Sequence, residues 1–585
     1  MSKFFLFNQF FKGYGHIYLL GVCMLIAIDI LFLWVPKLTG DAINTLYYGK
    51  EGLTHYIWLF VLVAVVVTVL KFSSRHLLLG SIRRFEFLLR RRLFDHALYI
   101  PTAYYEKNGP GKVMALMTND VTTLRVSLGL GVMIFVDAIF FGIFSFFLMA
   151  KQVSAQLAMT ILTPMPFIVV AMLVLSRRMR RKQREAQNTY SDLTEFAQEL
   201  FLGMPVIRAF NRELTSLHRF IGTNRTNYEK NMKVALLDAL LAPVTYVAPF
   251  ICYAIAIYVC GNLIITNEIT VGDFVAINGY LILIIGPIMG IGSLASVLQK
   301  GFASLDRLSD FLALPEEVPS DETDELAPAP LQVRHLTFAY PETTAPVLQD
   351  VTVDIEEGAF IGIVGGPGSG KSTLFKLLLR LYDTPQGTLY IGNEDITTIP
   401  LSVLRRSIAY VPAETFLLGT SIADNITFGE EASRHITLEE AANRSALRRD
   451  LWNRIHDNAA LREGGADLSG GQKQRINIAR GLYKNAPYLL LDDSFSALDT
   501  VSAAGIIKTL RSGRRQTLLF ISQRLEALRE ADRILVFKEG RIVEAGTHEE
   551  LLSRNGEYCR LYAQQLQGAT QGNSEGASGE TEVNP

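Results

Sequence analysis

The stretch that decides the fold is Gly365-Gly366-Pro367-Gly368-Ser369-Gly370-Lys371-Ser372, followed directly by Thr373. It fits the phosphate-loop pattern GxxxxGK[ST] without a mismatch. Residues 360–364 before it are apolar and residues 374–379 after it are apolar at helical spacing, which predicts a strand, a loop and a helix. Glycines let backbone N–H groups close around a phosphate at the positive end of that helix. The stretch therefore predicts a nucleoside triphosphate site.

Two side chains of this loop suit particular parts of a bound magnesium nucleotide. Lys371 would reach the β- and γ-phosphates, and the hydroxyl of Ser372 would ligand Mg²⁺. Downstream, the apolar residues 488–491 read as a strand that ends in Asp492. A carboxylate at the end of such a strand can hold Mg²⁺ through water. Ser372 and Asp492 are therefore the predicted metal residues.

The composition indicates that part of the chain lies in a lipid bilayer. Hydrophobic residues make up 49% of the 585 residues and charged residues only 19%; the mean hydropathy is +0.24. The net charge of −1 gives no electrostatic basis for binding nucleic acid. The four cysteines have neither disulfide nor metal spacing; they are Cys23, Cys252, Cys260 and Cys559.

Six apolar stretches are each long enough to cross a bilayer, which takes about 20 residues. They lie near residues 17–36, 56–74, 127–150, 155–176, 239–265 and 275–298. The long connections after the second and fourth stretches are rich in arginine, and an excess of Lys and Arg marks the cytoplasmic side. We therefore predict a multi-pass protein of the inner or plasma membrane with both termini in the cytoplasm.

The predicted domains follow from these patterns. Residues 1–314 form the membrane domain, and its two long cytoplasmic loops mix apolar and charged residues at helical spacing. Each loop has a break, at residues 107–111 and at residues 202–205. The remaining boundaries are an acidic linker at 315–330, an α/β domain at 331–566 and a disordered tail at 567–585.

A second motif identifies the family that the chain resembles. Leu468-Ser469-Gly470-Gly471-Gln472 lies between the phosphate loop and the strand ending in Asp492. With these motifs in this order, the chain resembles an ATP-binding-cassette (ABC) exporter half-transporter. The resemblance implies a type I exporter fold, in which six transmembrane helices precede a C-terminal α/β P-loop nucleotide domain. It makes ATP and Mg²⁺ the expected cofactors.

The resemblance also implies roles for further residues. Tyr340 would stack on adenine, and Ser496-Ala497-Leu498-Asp499 would form the loop that crosses between paired nucleotide domains. The two cytoplasmic breaks would be coupling helices. Two nucleotide domains would pair head to tail, so that each ATP lies between one chain's phosphate loop and Ser469, Gly470, Gly471 and Gln472 of the other.

Three positions depart from the family pattern. Asp493 stands where the family has the glutamate that serves as general base, and one methylene fewer withdraws the carboxylate by about an ångström. Gln523 replaces the switch histidine; it can hydrogen-bond a γ-phosphate but cannot carry a proton. Ala413 replaces the glutamine that contacts Mg²⁺ or water, although Glu414 beside it is a possible substitute.

These departures favour one hypothesis and leave others open. All three concern water activation or γ-phosphate sensing, whereas Tyr340, Lys371, Ser372 and Asp492 are unchanged. The chain then resembles the degenerate-site subunit of a bacterial heterodimeric multidrug exporter. Its own site would bind ATP but hydrolyse it poorly, and its LSGGQ would complete the active site of a second half-transporter. The alternatives are a homodimeric exporter with Asp493 as base, a peptide exporter, and a non-transporting regulator gated by ATP.

Asp29 and Asp137 lie within the first and third predicted spans. A carboxylate there costs at least about 2.5–3.5 kcal/mol on insertion scales, so each needs a reason. One reason is contact with cationic, amphipathic substrates, helped by nearby phenylalanines. The other is a hydrogen bond between helices or a water-filled cavity wall. The sequence predicts small amphipathic drugs or lipids as the class of substrate and leaves its identity open.

Overall fold

The computed structural model falls into two compact units. It describes residues 3–49, 51–152, 154–317, 326–341, 343, 345–429, 436–447, 451, 453–455, 457, 459–512 and 516–566. Residues 318–325 of the predicted linker and the predicted tail 567–585 lie outside this description. The first unit comprises the chain up to Leu98 together with Asn108–Leu314. The second comprises Tyr99–Lys107 and the chain from Pro315 onward, so a short segment of the predicted membrane domain groups with the nucleotide domain.

The described part of the first unit is built from helices of very different lengths. The bounds are α1 Lys3–Tyr47, α2 Leu53–Leu98, α3 Thr102–Ala115, α4 Val121–Val126, α5 Val132–Ile139, α6 Ser145–Gln152, α7 Ala155–Leu162, α8 Pro164–Leu202, α9 Met204–Ala209, α10 Glu213–Ile265 and α11 Val271–Leu312. Short π-helical segments join α3 to α6; they are Leu116–Asp120, Ser127–Gly131 and Phe140–Phe144. The first residues of α3, up to Lys107, belong to the second unit.

Small residues allow these helices to approach closely. A Cβ at Gly40 of α1 would lie 2.4 Å from the carbonyl oxygen of Gly272 in α11, so both positions require glycine. Asn44 fixes the same contact, because its Oδ1 accepts a hydrogen bond of 2.8 Å from the backbone N–H of Gly272. Close packing of this kind holds helices together where lipid gives no hydrophobic driving force.

Three stretches of the described residues are long and apolar enough to cross a membrane. They are Lys12–Tyr47, Leu53–Leu98 and Thr102–Gln152, and shorter apolar helices run over Pro249–Ile265 and Val271–Ile284. The predicted count of six spans stays a prediction. The helical class predicted for this half is what the structure has.

The two predicted breaks differ in the structure. The chain turns at residues 99–101, upstream of the first break, and Gly109 is instead a kink inside the helical stretch Thr102–Ala115. Pro110 follows this kink and suits the first turn of the continuing helix, because its missing N–H is not needed there. At the second break α8 ends at Leu202, and the short helix α9 follows Gly203.

The second unit contains two sheets. The strands are β1 Leu331–Phe338, β2 Leu348–Ile355, β3 Phe360–Gly365, β4 Leu389–Ile391, β5 Glu394–Asp395, β6 Ile408–Val411, β7 Tyr488–Asp492, β8 Thr517–Ile521, β9 Arg533–Lys538 and β10 Arg541–Gly546. One sheet has the order β2-β1-β4-β5 and the other β10-β9-β3-β8-β7-β6. In the larger sheet the strands from β9 to β6 are parallel and only β10 is antiparallel.

Helices cover the sheets of this unit. They are α12 Lys371–Leu378, α13 Leu401–Ser407, α14 Ile422–Thr427, α15 Leu438–Arg444, α16 Gly470–Lys484, α17 Thr500–Ser512 and α18 His548–Ser553, with 3₁₀ turns at Glu463–Gly465 and Leu525–Leu528. Strands β7 and β8 are buried along their whole length. Because parallel strands end at the same edge of a sheet, the residues that follow β3, β7 and β8 meet there.

Candidate nucleotide site

The phosphate loop has a backbone that glycine makes possible. Gly368 and Gly370 adopt φ values of 73° and 96°, in the left-handed region that side chains disfavour. A Cβ at Gly370 would lie 2.6 Å from Cδ2 of Leu348, and one at Gly365 would lie 2.2 Å from the carbonyl oxygen of Phe537. The loop is therefore tightly packed from behind while its N–H groups remain at the N-terminus of α12.

The Lys371 amine lies in the middle of this loop. Its Nζ donates hydrogen bonds of 2.8 Å to the carbonyl oxygens of Gly365 and Gly366 and one of 3.1 Å to Oγ of Ser369. Burial lowers the pKa of Lys371, and the charges of Asp492 and Asp493 act in the opposite direction. The predicted phosphate-contacting lysine thus lies beside the backbone that would hold the phosphates.

The two predicted metal residues touch each other. Oγ of Ser372 donates a hydrogen bond of 3.0 Å to Oδ1 of Asp492, and the hydroxyl of Tyr410 lies 3.3 Å from Oδ2. Asp492 is buried, and this burial raises its pKa. A hydroxyl and a carboxylate oxygen are the hard donors that Mg²⁺ prefers, and the remaining ligands of that ion are ordinarily waters and phosphate oxygens. The pair fits Mg²⁺.

Tyr340 lies over the start of α12. Its hydroxyl is 3.0 Å from Oγ1 of Thr373, and its ring packs edge-on against Tyr382 with centroids 4.9 Å apart. Nζ of Lys376 lies 5.9 Å from the centre of the Tyr340 ring. Thr373 is buried, and its hydroxyl is hydrogen-bonded to Tyr340, the residue that was predicted to stack on adenine.

The three departing residues lie at this same edge of the sheet or close to it. Asp493, with φ of 44°, follows β7, and its Oδ1 accepts a hydrogen bond of 3.4 Å from the backbone N–H of Gln523. Burial raises the pKa of Asp493, and the charge of Asp492 adds to this effect. Gln523 lines a cavity of about 260 Å³ together with Gly366 and Pro367 of the phosphate loop. Ala413 and Glu414 are exposed in the loop after β6.

The LSGGQ stretch forms the start of α16. Oγ of Ser469 accepts a hydrogen bond of 3.3 Å from the backbone N–H of Gln472, whose side chain accepts one of 3.0 Å from the N–H of Ser469. This reciprocal pair is a capping box. Ser469 and Gly470 are exposed, whereas a Cβ at Gly471 would lie 3.1 Å from the carbonyl oxygen of Ala497. The motif therefore presents an open, well-formed helix N-terminus.

Two residues that sequence reasoning missed connect these motifs. Gln474 bridges α16 to the predicted crossing loop, since it donates to Oγ of Ser496 and accepts from the N–H of Ala497, both at 2.9 Å. Arg524 donates hydrogen bonds of 2.6 Å to the carbonyl oxygen of Leu498 and 2.8 Å to that of Ser496. The switch position and the crossing loop are thereby joined. No local sequence signal marked either residue.

A third missed residue lies in the segment Tyr99–Lys107. Oε1 of Glu106 accepts a hydrogen bond of 2.9 Å from Nζ of Lys376, and Oε2 accepts one from the hydroxyl of Tyr382. Lys376 and Tyr382 both pack against the Tyr340 ring. The resemblance pointed to a coupling element nearby, at residues 107–111, but the contacting residue precedes that break.

The two predicted substrate residues of the membrane half differ in exposure. Asp29 is only 2% exposed, and its Oδ2 has no hydrogen-bond partner within the described part of the chain. Asp137 is half-buried and interacts electrostatically with Asp29 and with Lys71. Lys71 in turn lies 5.9 Å from the centre of the Phe32 ring. The two carboxylates are thus neighbours, which their sequence separation did not predict.

A cavity of about 960 Å³ lies between α1 and α2. Its wall is mostly apolar, with Phe32, Phe60 and Phe72 among the lining residues. Cationic side chains follow one stripe of α2, namely Lys71, Arg75 and Arg83. Among the described residues that line it, none is acidic, although Arg83 pairs with Glu86 outside the wall at 3.3 Å.

Comparison with known proteins places the chain in a family. A model of the ABC transporter transmembrane region matches residues 17–288, and a model described as ABC transporter matches residues 348–496. The chain is 35% identical over 563 residues to the probable multidrug resistance ABC transporter ATP-binding/permease protein YheI of Bacillus subtilis (strain 168), covering 95% of this chain and 96% of that protein.

Other relatives and a solved structure agree. The chain is 31% identical to the multidrug resistance-like ATP-binding protein MdlA of Escherichia coli (strain K12), with 96% of both covered. It is 32% identical to the ATP-dependent lipid A-core flippase of Nitrosococcus oceani, covering 82% of this chain and 81% of that one. A bacterial Atm1-family ABC exporter with ATP bound shares the fold, with a TM-score of 0.76 at 21% identity over 95% of this chain and 99% of that one. The chain belongs to the ABC transporter family, as a multi-pass membrane exporter whose C-terminal ATPase domain couples ATP hydrolysis to transport.

Proposed function

We propose that this chain is the catalytically weakened subunit of a heterodimeric exporter. Its own phosphate loop binds MgATP and hydrolyses it slowly, while its LSGGQ stretch completes a competent site on a different half-transporter. In the proposed membrane orientation, both termini and the nucleotide domain lie in the cytoplasm. The observation that carries it is the contrast between Asp492 and Asp493, two neighbouring carboxylates in different surroundings.

The binding half of the site supports ATP capture. Asp492 touches Ser372 at 3.0 Å and is held by Tyr410, so the metal residues are preorganised before nucleotide arrives. Lys371 lies on the loop backbone, where its charge would face the β- and γ-phosphates. We propose that these contacts and stacking on Tyr340 hold MgATP at this site.

The hydrolytic half of the site supports slow turnover. Oδ1 of Asp493 is directed to the backbone N–H of Gln523, and its side chain is one methylene shorter than that of glutamate. A general base must come within hydrogen-bond reach of the attacking water. Gln523 can donate to a γ-phosphate but has no titrating proton to transfer. Ala413 supplies no side-chain ligand at its position.

The LSGGQ stretch supports service to a partner. Ser469 and Gly470 are exposed at the N-terminus of α16, a 15-residue helix whose first turn is already capped. Backbone N–H groups at such a terminus stabilise phosphate charge. In the proposed heterodimer these groups lie over the γ-phosphate of the partner's ATP, where fixed donors stabilise the transition state.

A homodimeric exporter is the second candidate, and one observation favours it. Burial raises the pKa of Asp493, and a carboxylate with a raised pKa is a stronger base at neutral pH. The two candidates differ in the activity of the isolated chain. Purified alone, the weakened subunit should hydrolyse ATP at a few per cent or less of the heterodimer's rate. A homodimer would reach its full rate without any second protein.

We propose an anionic amphiphile as the preferred class of substrate. The cavity between α1 and α2 combines phenylalanine rings with the stripe Lys71, Arg75 and Arg83, and such a wall suits an acyl chain that carries a phosphate or carboxylate head. Asp29, which is 2% exposed, is better placed for a contact between helices than for a substrate. This assignment favours lipid-like compounds over cationic drugs.

Stimulation of ATP hydrolysis tests this substrate class. In proteoliposomes containing the exporter, a dialkyl phosphate should stimulate the ATPase more than a quaternary dialkylammonium compound of equal chain length. Arg75→Gln should reduce the stimulation by the phosphate several-fold, and Thr68→Ala, on the same wall, should not. Stimulation by the ammonium compound alone would contradict the assignment.

A further inference from the structure

The helix at residues 557–566 is the last described element of the chain, and it reaches the nucleotide site. Tyr558 anchors it, since this side chain is completely buried and its hydroxyl lies 2.7 Å from Nδ1 of His548. Gln565 follows Tyr558 by seven residues, which is two helical turns, so both project from one side of the helix. The buried tyrosine therefore fixes the place of Gln565.

The amide of Gln565 holds the turn that follows β8. Its Oε1 accepts a hydrogen bond of 3.1 Å from the backbone N–H of Leu525, and its Nε2 donates to the carbonyl oxygen of Gln523. The amide thus uses its acceptor and a donor on two backbone groups that flank Arg524. Gln565 therefore makes two hydrogen bonds to the backbone of this turn, and both form only when the turn has this conformation.

The peptide groups of Gln523 are consequently held on both sides. Its N–H faces Oδ1 of Asp493 at 3.4 Å, and its carbonyl oxygen accepts from Gln565. Gln523 and Gln565 also line the same cavity of about 260 Å³ as Gly366 and Pro367 of the phosphate loop. Gln565 therefore holds the backbone from which the Gln523 side chain extends beside this loop.

We propose that Gln565 is a positioning residue for nucleotide discrimination. By holding the turn at residues 522–525 it directs Gln523 toward the γ-phosphate, and it thereby sets the preference of this site for ATP over ADP. The inference rests on the proposed function, in that Gln523 contacts the γ-phosphate of an ATP bound to this chain's phosphate loop. Gln565 does not itself touch the nucleotide in this account.

Competition by ATP and ADP against photolabelling of this chain with an azido-ATP tests the proposal on the full-length exporter. Gln565→Ala should lower the ratio of ATP affinity to ADP affinity by about three- to ten-fold, with ADP affinity unchanged. This is the size of the one hydrogen bond that Gln523 would lose to the γ-phosphate. Gln564→Ala is the matched control, because Gln564 lines the same cavity and should leave the ratio unaltered.

A double-mutant cycle separates positioning from general stability. Gln523→Ala should lower the ratio as Gln565→Ala does, and the double variant should be no worse than Gln523→Ala alone. Fully additive losses, or equal loss of ATP and ADP affinity, would overturn the proposal. Gln565→Glu keeps the acceptor for Leu525 but not the donor for Gln523, so it gives the same test should Gln565→Ala fail to fold.

The wild-type protein distinguishes the two levels of failure. If it is not labelled at all, the proposed ATP site is wrong. If it is labelled and prefers ATP, but Gln565→Ala keeps the wild-type ratio, only the role of Gln565 is wrong.

Discussion

Nζ of Lys376 donates a hydrogen bond of 2.9 Å to Oε1 of Glu106, across 270 residues of sequence. Lys376 lies in α12, five residues after Lys371 of the phosphate loop. Glu106 lies in the short segment between α2 and the rest of the membrane unit, and Tyr382 contacts its other carboxylate oxygen. One ion pair therefore joins the helix that starts the nucleotide site to a segment continuous with membrane helices.

Removing this ion pair should weaken the coupling of ATP hydrolysis to substrate. Glu106→Gln should reduce substrate stimulation of the ATPase about 1.4- to 5-fold, since partly exposed pairs contribute about 0.2–1 kcal/mol. ATP affinity should remain within two-fold. ATPase assays with and without substrate measure both quantities.

The control for this prediction is Lys376→Gln with the double variant. If the pair acts as a unit, the double variant should be no worse than either single one. Loss of basal and stimulated activity in equal proportion would show that Glu106 has no part in coupling.

Nucleotide binding should depend on Lys371 more than on Tyr340. Lys371→Ala removes the charge that faces the phosphates and should weaken ATP binding about 10- to 100-fold. Tyr340→Ala should weaken binding less, near the lower end of the about 1–3 kcal/mol that stacking contributes, and Tyr340→Phe, which loses only the contact with Thr373, should cost less still. Azido-ATP labelling of each variant measures this order, and unchanged labelling of Lys371→Ala would refute the site assignment.

The two membrane carboxylates should have unequal roles. Asp29→Asn should keep expression and thermal stability, because asparagine fills nearly the same buried volume without the cost of a buried charge, and it should affect export of neutral and charged compounds equally. Asp137→Asn should change export according to substrate charge, because Asp137 is half-buried beside Lys71. Resistance assays with matched cationic and neutral compounds distinguish these outcomes. Selective loss of cation export in Asp29→Asn, with normal expression, would make Asp29 a substrate contact.

Most of the nucleotide site could be predicted from local sequence patterns. The phosphate loop needs glycines at fixed spacing and a following lysine. Gly370 and Lys371 therefore predict its conformation from local sequence alone. Asp492 ends an apolar strand, and its contact with Ser372 follows from the way parallel strands end together. The α/β class of the nucleotide domain and the helical class of the membrane domain follow from the same periodic patterns.

Contacts between residues that are far apart in the sequence could not be predicted from it. Glu106, Lys376 and Gln565 carry no local signature, and the motif that marks Gln523 does not reveal its contact with Gln565, because each pair meets only once the domain has folded. The sequence predicts a break at residues 107–111, but a glycine followed by proline can also kink a helix that continues, as happens at Gly109. Composition alone does not separate these outcomes.

Catalytic asymmetry requires two changes in one domain to act on two ATP molecules. Asp493→Asn affects this chain's own phosphate-loop site. In the proposed heterodimer Ser469→Asn should affect the partner's site. Asparagine caps a helix as well as serine does, so α16 should keep its start while the larger side chain crowds the γ-phosphate. Comparing the two variants therefore separates the weakened-subunit account from the homodimer.

The most direct measurement is the steady-state ATPase rate of the purified heterodimer that carries Asp493→Asn in this chain. Catalytic asymmetry predicts a rate within about two-fold of wild type. For Ser469→Asn it predicts a loss of about 100-fold, because the larger side chain displaces the donors that stabilise the transition state. A loss of hydrolysis in Asp493→Asn as large as that in Ser469→Asn would show that the two sites are not asymmetric and that Asp493 is a working catalytic base.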